Sequence, residues 1–412
     1  MLKIGLLGLG VVGAGVYEII NLKKGESLAS EGLEIKKILI RDLGKDRGYS
    51  IPKHMLTTDF SDILNDPEIG LIACVMGGQQ FEYECIKQAL MLKKHVVTAN
   101  KEVLARHIDE LTSLAKENGV QLLFEASVGG GIPIINSVVE LLKINRIDRI
   151  TGILNGTTNY ILTKIAKEKM QFNDVLKEAQ QLGFAEADPS ADIEGFDVMR
   201  KISILASLCF QTVIKEEDVH QRGISNVRLD DLLMADYFGY AIKYIAKAAR
   251  AGNSYSVTVA PVLIRKDSVI ANVNAEYNIV IVDGDIIGEL CFIGKGAGRD
   301  ATANAVVSDI LKITNESASY SHISFSSDAS SIGIEGLVNE YYVRICIDSY
   351  ECFSEVLDCL ASSVKKDRLI YQNGMVFLTT EKILSTEMQL MCSKLKEYSE
   401  DVFYARLDDS LM

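Results

Sequence analysis

The chain has 412 residues, which exceeds what one ordinary core needs and predicts two or three domains. Its hydrophobic content of 48% with 24% charged residues is typical of a soluble globular protein, and no apolar run reaches the roughly 18 residues of a membrane span. A formal net charge of -13 argues against nucleic acid or an anionic membrane as a partner, because both attract basic surfaces.

The cysteines and the start of the chain indicate the compartment. The eight cysteines form no C-x-x-C pair and lie mostly in apolar runs, so we expect reduced, buried thiols rather than disulfides or a zinc site. The N-terminal residues enter a strand pattern directly, without a leader signature. We therefore expect a cytoplasmic protein.

In the first third of the chain, short apolar runs alternate with helical patterns. This alternation predicts a Rossmann-type doubly wound parallel sheet within an α/β fold. The predicted strands are 2–7, 35–40, 70–76, 95–98 and 120–124, and the predicted helices are 11–21, 82–92 and 102–118.

The character of the sequence changes after residue 130. Amphipathic helical patterns at 132–142, 158–168 and 173–182 are followed by a strand-rich segment, 241–289, with a turn predicted at residues 283–285. These elements predict an α+β domain with a mixed or antiparallel sheet. A Gly-rich segment, 294–298, precedes a helix at 301–313, and a Ser-rich stretch at 317–331 is typical of a linker.

The C-terminal segment predicts a small βαββα module. Its strands are predicted at 341–347, 369–372 and 375–380, and its helices at 352–364 and 386–398. The predicted domains are therefore a parallel-sheet domain at 1–130, the α+β domain at 131–295 and the module at 338–412.

The sequence Gly-Leu-Gly-Val-Val-Gly at residues 8–13 lies between a predicted strand and a predicted helix. That context is the one a dinucleotide-binding fingerprint requires. Gly8 permits a tight turn, Gly10 lets the backbone approach a pyrophosphate, and Gly13 lets the helix lie close to the strand. The alternative is a glycine turn that only connects strand to helix, but the βαβ context favours cofactor binding.

The end of the second predicted strand bears on the choice between NAD and NADP. An acidic residue there binds the ribose 2′-hydroxyl of NAD, whereas a basic residue suits the 2′-phosphate of NADP. Arg41 is followed by Asp42, with Lys45 and Arg47 nearby, so the basic excess favours NADP while NAD stays open. A solvated loop without a cofactor role is the alternative interpretation.

Residues 186–197 contain five carboxylates and are followed by Lys201. If a helix begins near Asp192, then Glu194, Asp197 and Lys201 share one face. A lysine held by carboxylates could donate the proton that aldehyde reduction needs. A surface ion pair between Asp197 and Lys201 and a divalent metal site are the alternatives.

A second lysine, Lys101, follows the strand predicted at 95–98. Ligands of open α/β sheets bind beyond the carboxyl ends of the strands, which is where Lys101 is expected. Many lysines at a helix start are only solvated, and that interpretation stays open as well.

Taken together, these motifs resemble the homoserine dehydrogenase family over nearly the whole chain. The matching segments, in family order, are 8–13 (GLGVVG), 97–101 (VTANK), 125–133 (EASVGGGIP), 152–162 (GILNGTTNYIL), 183–201 and 296–298 (GAG). The NGTTNY and EADP motifs are far more specific than the glycine fingerprint.

The resemblance implies NAD(P)-dependent interconversion of L-aspartate 4-semialdehyde and L-homoserine, in threonine, isoleucine and methionine biosynthesis. It implies Lys201 as proton donor and Lys101 as its partner at the reacting oxygen. The substrate-binding residues it implies are Glu186, Asp192, Asp197 and Gly183. The cofactor-binding residues are Gly8, Gly10, Val11, Val12, Gly13, Arg41, Gly77, Lys101 and Gly298.

The resemblance also implies a sodium ion, assembly and possible regulation. The cation ligands would be Glu125, Val128, Gly130 and Ile132. Residues 1–130 would be the dinucleotide-binding domain, to which 296–325 returns, and the sheet of the substrate-binding and dimerisation domain, 131–295, would form a homodimer or homotetramer. The C-terminal module resembles an ACT domain, but residues 348–352 (DSYEC) lack the glycine common after the first strand of such domains. An amino-acid effector and a purely assembling role therefore stay open. No kinase-like region precedes Met1, so we expect the monofunctional form.

Two alternatives to this function are another dehydrogenase and an inactive sensing protein, and the cysteine and lysine motifs of the sequence bear on each. Aspartate-semialdehyde dehydrogenase works through a nucleophilic cysteine, and none of the eight cysteines lies in a polar loop beside a histidine. A catalytically inactive protein that senses nucleotides or amino acids could keep the same fold. The motifs around Lys101 and Lys201 argue against that second alternative.

Overall fold

A computed structural model describes residues 2–21, 32–45, 51–315, 323–326, 329–347, 353–354, 356 and 364–411, apart from the side chains of 366 and 367. The chain divides into two compact units. The first comprises Met1–Asp148, Ser203–Glu216 and Val282–Asp328, and the second comprises Arg149–Ile202, Glu217–Ile281 and Ala329–Met412. In the described part of the chain, no helix combines the length and the apolar character that crossing a membrane requires.

The elements are numbered here in chain order. The strands are β1 Leu2–Leu7, β2 Leu33–Leu39, β3 Leu56–Thr57, β4 Ile69–Cys74, β5 His95–Thr98, β6 Leu122–Leu123, β7 Ile147–Ile153, β8 Val219–Gln221, β9 Tyr240–Ala251, β10 Ser254–Arg265, β11 Tyr277–Gly284, β12 Gly288–Lys295, β13 Ser330–Ser331, β14 Val338–Cys346, β15 Val364–Gln372, β16 Met375–Thr380, β17 Ile383–Leu384 and β18 Val402–Asp408. The helices are α1 Val11–Asn21, α2 Ser61–Leu64, α3 Gln80–Met91, α4 Lys101–Asn118, α5 Ile134–Leu141, α6 Gly156–Glu168, α7 Phe172–Gln181, α8 Ser190–Ile193, α9 Phe196–Phe210, α10 Leu229–Tyr237, α11 Arg299–Thr314 and α12 Ser385–Leu395.

The first unit contains a parallel sheet in the order β3-β2-β1-β4-β5-β6. The predicted doubly wound sheet is therefore confirmed. The chain runs outward from β1 through β2 and β3, then crosses to the other side of β1 and continues through β4 to β6. Open sheets of this kind bind ligands beyond the strand ends at the point where the order reverses, which is here between β1 and β4.

A late segment of the chain packs against the first helix of this unit. A Cβ on Gly15 of α1 would lie only 2.8 Å from the Cβ of Ala303 in α11, so the glycine allows the two helices to approach closely. Gly298 is the N-terminal capping residue of α11 and has a positive φ of 125°. The conformation of Gly298 is one that L-residues with a side chain rarely adopt.

The second unit contains a mixed sheet in the order β11-β7-β9-β10-β18-β14-β16-β15. Neighbours β9 and β10 are antiparallel, as are β14 and β18, whereas β10 and β18 run parallel. The predicted mixed sheet is confirmed. The C-terminal strands thus continue the sheet of β9 and β10 through β18, a strand that the sequence analysis missed. The available signal was the apolar residue at every second position, Phe403, Ala405 and Leu407, and all three are buried in β18.

Several predicted boundaries were wrong. The helix carrying Lys201 begins at Phe196 rather than near Asp192, because Gly195 has a φ of 89° and separates it from the short helix α8. Glu194 therefore does not belong to the helix of Asp197 and Lys201. The turn predicted at 283–285 is shifted, since β11 continues to Gly284 and β12 begins at Gly288.

Other predictions concern residues outside the described ranges. These include the DSYEC loop at 348–352 and most of the predicted helix at 352–364 and the linker at 317–331. Val364, expected at the end of that helix, is the first residue of β15 instead.

Candidate active site

The predicted glycine fingerprint forms a strand–turn–helix in which each glycine has a different environment. Gly8 has a φ of 99° at the turn after β1. A Cβ on Gly13 would overlap the carbonyl oxygen of Gly8, so a side chain there would force the helix away from the turn. A Cβ on Gly10 would meet no atom within 4 Å, so the backbone there faces open space. Val11, the first residue of α1, is 69% exposed, whereas Val12 is half-buried.

Two more predicted cofactor residues lie together at the same sheet edge. The Arg41 guanidinium, after β2, donates a hydrogen bond of 3.4 Å to the carbonyl of Gly77, after β4. Both residues are exposed. Asp42 accepts a hydrogen bond of 2.7 Å from the backbone of Gly44. Arg41 is thus directed towards Gly77, while Asp42 stabilises its own turn.

Lys101 is the first residue of α4, directly after β5. The side chain of Asn100 caps this helix by accepting hydrogen bonds from the backbone N–H groups of Glu102 and Val103, at 3.0 and 3.1 Å. Lys101 itself is half-buried. The capping geometry determines where α4 begins and therefore where the Lys101 backbone lies.

In the second unit, Lys201 and Asp197 form a buried ion pair one helical turn apart. The Lys201 ammonium donates to Asp197 Oδ2 at 2.7 Å and to the carbonyl of Leu154 at 2.9 Å. The two residues are only 8% and 4% exposed, respectively. The interpretation of this pair as a solvated surface ion pair is therefore wrong.

Asn155 joins the carboxylates of this cluster. Its side-chain amide donates to Asp192 Oδ1 at 2.7 Å and to Asp197 Oδ2 at 2.9 Å, and its carbonyl oxygen caps α6 by accepting from the backbone of Thr158 at 2.8 Å. Burial and the neighbouring Asp197 charge raise the pKa of Asp192. One amide thus connects the helix start to two carboxylates that would otherwise repel each other.

Gly183 and Glu186 lie in the exposed loop that follows α7. Gly183 has a φ of 78°, and a Cβ there would meet no atom within 4 Å. The Glu186 side chain is exposed, whereas Asp192 is half-buried and Asp197 and Lys201 are buried. The hydroxyl of Thr157 donates to the carbonyl of Phe184 at 2.7 Å and attaches this loop to the start of α6.

One of the predicted cation residues, Glu125, is a buried acid in the first unit. The Glu125 carboxylate accepts hydrogen bonds from the backbone N–H groups of Ile135 and Asn136, at 2.8 and 2.9 Å, and from the Asn136 side chain. Burial and the nearby Asp309 carboxylate raise the pKa of Glu125 to about 7. The first turn of α5 is therefore held by Glu125.

The glycine turn beside Glu125 is tightly packed. Gly130 has a φ of 56°, and a Cβ there would lie 2.6 Å from the carbonyl carbon of Gly296. Val128 and Ile132, the other predicted ligands, are buried. Throughout the described residues, no three His, Cys, Asp or Glu side chains converge as metal ligands. The alternative of a divalent site among the carboxylates before Lys201 is therefore not supported.

Comparisons with known proteins agree with this geometry. The model of the homoserine dehydrogenase NAD-binding domain matches residues 8–125, and the homoserine dehydrogenase model matches residues 133–311. The homoserine dehydrogenase of Synechocystis is 47% identical over 315 residues, which are 76% of this chain and 73% of the relative. The chain belongs to the homoserine dehydrogenase family. It is therefore an NAD(P)-dependent oxidoreductase with homoserine dehydrogenase function in amino-acid biosynthesis.

Solved structures of the family extend the similarity. A homoserine dehydrogenase from Thiobacillus denitrificans has a TM-score of 0.88 and 34% identity, with 99% of this chain and 98% of that chain covered. A hyperthermophilic archaeal homoserine dehydrogenase mutant, solved in complex with NADPH, has a TM-score of 0.64 and 26% identity, with 77% of this chain and 99% of that chain covered. These comparisons give no support to the inactive sensing protein considered as an alternative.

Two buried residues that the sequence analysis did not single out have prominent hydrogen-bonding roles in the structure. Asn155 was available as a helix-capping residue at the start of the NGTTNY motif. Glu82 is 1% exposed in α3, where it shares a face with Cys85, Ile86 and Ala89. An acidic residue in phase with apolar positions three, four and seven residues later was the available signal.

Proposed function

We propose that Lys201 is the proton donor when this enzyme interconverts L-aspartate 4-semialdehyde and L-homoserine. The observation that supports this role is the burial of its ammonium between Asp197 and the Leu154 carbonyl. Two acceptors, Asp197 on the same helix and the Leu154 carbonyl directly after β7, orient the Nζ atom. The low-dielectric surroundings strengthen its interaction with a developing alkoxide.

The reaction balances with one hydride and one proton. A nicotinamide cofactor held at the glycine turn of residues 8–13 would supply the hydride for the aldehyde carbon. Lys201 gives a proton from Nζ to the aldehyde oxygen as it becomes a hydroxyl, and Asp197 stabilises the lysine in its charged form before transfer. From the resemblance of residues 97–101, we assign Lys101 as a second cation at the reacting oxygen.

The substrate's amino end is the proposed ligand of the acidic groups. A primary ammonium is attracted by the carboxylates of Asp192 and Asp197, which Asn155 holds together. Glu186 lies in an exposed loop with Gly183, and we propose that this loop contributes to the same amino-acid pocket. Such a pocket would select a substrate with an α-amino group over a simple aldehyde.

The N-terminal turn fits a dinucleotide. Gly10 leaves open space beside the first turn of α1, whose N–H groups can bind a pyrophosphate, while Gly13 keeps that turn close to Gly8. We propose that Arg41 binds the 2′-phosphate, which favours NADP over NAD. The related archaeal enzyme binds NADPH. The proposed cofactor residues are Gly8, Gly10, Val11, Val12, Gly13, Arg41, Gly77, Lys101 and Gly298.

We also propose a sodium ion held by Glu125 and the backbone carbonyls of Val128, Gly130 and Ile132. The donor chemistry fits, because carboxylate and carbonyl oxygens are the ligands that hard cations prefer. A cation would also offset the repulsion between Glu125 and the fully buried Asp309, which together with burial raises the pKa of Glu125. Its contribution would be to stabilise the turn at Gly130.

The C-terminal elements support a further proposal about assembly. Strands β14, β15 and β16 with α12 follow the order of an ACT-like module, and we propose that residues 338–412 serve assembly into a homodimer or homotetramer. An amino-acid effector at this module is the alternative. We further propose a cytoplasmic location and a role in threonine, isoleucine and methionine biosynthesis, in keeping with the family.

The deciding experiment follows NADPH oxidation with L-aspartate 4-semialdehyde, and NADP reduction with L-homoserine. Lys201→Ala should lower kcat by about 10²- to 10⁴-fold, the usual contribution of a positioned acid. Lys143→Ala, which removes an exposed lysine paired with Glu140, is the matched control and should keep full turnover. Full turnover by Lys201→Ala would rule out the proton-donor role, and replacing NADPH with NADH tests the cofactor preference.

A further inference from the structure

A buried carboxylate connects the two strand ends at which Gly77 and Lys101 lie. Glu82, in α3, is 1% exposed. Its Oε1 accepts a hydrogen bond of 3.2 Å from the hydroxyl of Thr98, the last residue of β5, and its Oε2 accepts one of 2.9 Å from the side-chain amide of Asn100.

The hydrogen-bonding directions in this cluster are determined by Asn100. Its amide nitrogen donates to the Gly78 carbonyl at 2.7 Å as well as to Glu82, and its oxygen caps α4. Its backbone N–H donates to the Thr98 hydroxyl oxygen at 3.1 Å, so the Thr98 hydrogen is available for Glu82. Both oxygens of Glu82 therefore face donors, and only the ionised carboxylate accepts from both without a conflicting proton.

We propose that Glu82 is a positioning residue for cofactor binding: by holding Asn100, its carboxylate positions the Gly77–Gly78 turn and the first turn of α4 with Lys101. The inference rests on the cofactor roles proposed above for Gly77 and Lys101. Glu82 itself need not touch the cofactor. Its effect passes through Asn100, whose one side chain contacts the Gly78 carbonyl and the capped end of α4.

The surroundings of Glu82 make its charge sensitive to pH. Burial raises its pKa to about 7, although the hydrogen bonds from Asn100 and Thr98 oppose this shift. The titratable groups that respond to its charge are Cys74 of β4 and Cys85 of α3. On the α4 side, the Arg106 guanidinium binds the Gln79 side chain at the beginning of α3.

Protonation of Glu82 in the neutral range places an O–H donor opposite Thr98 or Asn100. The cluster then loses one hydrogen bond, and Asn100 is free to shift. Affinity for the cofactor should accordingly fall as the pH decreases through about 7.

The first test replaces Glu82 with glutamine, which has the same shape but presents an NH₂ donor to the cluster. Glu82→Gln should lower kcat/KM for NADPH about tenfold at about pH 8.5, the equivalent of one lost buried hydrogen bond, mainly through a higher KM. It should also remove the decline in kcat/KM between about pH 8 and pH 6. Glu84→Gln removes the same charge from the same helix and should leave both quantities unchanged.

The second test is a double-mutant cycle with Asn100→Asp, which keeps the capping oxygen of α4 but removes the donor to Glu82. In Glu82→Gln/Asn100→Asp the donor and acceptor are exchanged, so the loss in kcat/KM should be smaller than the product of the two single losses. If the loss in kcat/KM of the double variant equals the product of the two single losses, Glu82 and Asn100 act independently and the proposal is overturned. A Glu82→Gln variant that lowers Tm without changing the KM for NADPH or its pH profile would overturn it as well.

Lys101→Ala separates this inference from the proposed function. If Lys101→Ala keeps the wild-type KM and kcat, the assigned role of Lys101 is wrong. If Lys101→Ala is impaired but Glu82→Gln behaves as the wild type, only the role of Glu82 is wrong.

Discussion

Lys201 donates a hydrogen bond of 2.7 Å to Asp197 one turn earlier in α9, and both side chains are almost completely buried. The same Asp197 oxygen accepts from Asn155 at 2.9 Å. The ion pair therefore belongs to a network that continues to the start of α6. Its burial distinguishes it from the many lysine–carboxylate pairs on helix surfaces, which contribute little.

Removing the charge of Asp197 should impair catalysis more than folding. In Asp197→Asn the amide retains an oxygen for Lys201, but the ammonium loses its buried counter-ion, and we expect kcat to fall by about 10²-fold. Steady-state kinetics with L-aspartate 4-semialdehyde measures this effect. Asp236→Asn, which removes the carboxylate partner of exposed Lys266, is the control. Equal kcat values for the two variants would contradict the prediction.

Two alanine substitutions in the glycine fingerprint should affect different properties, one the stability of the protein and the other its KM for NADPH. Gly13→Ala inserts a methyl group against the Gly8 carbonyl and should destabilise the protein by about 1–3 kcal/mol, seen as a lower Tm. Gly10→Ala places its methyl group in open space, so Tm should not change, but the KM for NADPH should rise about tenfold as the pyrophosphate is obstructed. A normal KM in Gly10→Ala would argue against pyrophosphate binding at this turn.

The buried Glu125 predicts a specific pH dependence of stability. Its pKa of about 7 in the folded state exceeds the usual value of 4.5, so the folded protein binds more protons between these two values. Its contribution to the free energy of unfolding is therefore complete below about pH 4.5 and is lost as the pH rises to about 7. Urea unfolding at several pH values between about 4.5 and 7 measures this contribution. The free energy of unfolding should change less steeply with pH in Glu125→Gln than in the wild type.

Sodium should reduce that loss if Glu125 is a ligand, because a cation binds the ionised carboxylate of the folded state. The comparison is between sodium chloride and choline chloride at equal ionic strength. Glu125→Gln should respond to both salts equally. A wild-type protein that does the same would rule out the sodium site.

A buried ion pair should make the C-terminal strands integral to the second unit. Arg344 of β14 donates to Asp231 of α10 at 2.9 Å, and both side chains have no exposed surface. The Tyr342 hydroxyl donates to the same Asp231 oxygen at 2.9 Å. Burial raises the pKa of Asp231 to about 6 despite the Arg344 charge, which shows that desolvation outweighs the attraction.

Arg344→Met leaves the Asp231 charge buried and should lower the free energy of unfolding by about 3–5 kcal/mol. Arg265→Met, which removes a salt-bridge partner of exposed Asp267, should cost about 1 kcal/mol or less. Replacing both buried partners, in Arg344→Met/Asp231→Leu, should recover part of the loss. If the double variant is no more stable than Arg344→Met, the unpaired charge of Asp231 does not explain the loss of stability in Arg344→Met.

The sequence predicted those features that depend on interactions between residues close together in the chain. Alternating strands and helices, the glycine turn at residues 8–13 and the one-turn spacing of Asp197 and Lys201 follow from the backbone periodicity and from sterics within a few residues. The helix start near Asp192 was wrong for a tertiary reason. Gly195 interrupts the helix where the Tyr244 hydroxyl occupies the space of a Cβ, and Tyr244 lies far away in the sequence.

Only the tertiary structure decided which polar groups meet. The residues around Asn155 in the sequence do not show that its side-chain amide connects Asp192 to Asp197. Likewise, the sequence around Glu82 does not predict a hydrogen bond from Asn100. Periodicity determines which face of an element is buried, because solvent exclusion acts on every residue of that face. Burial of a polar group makes a hydrogen bond necessary, because an unpaired group loses its contacts with water. Which residue forms that hydrogen bond depends on how elements distant in the sequence pack together.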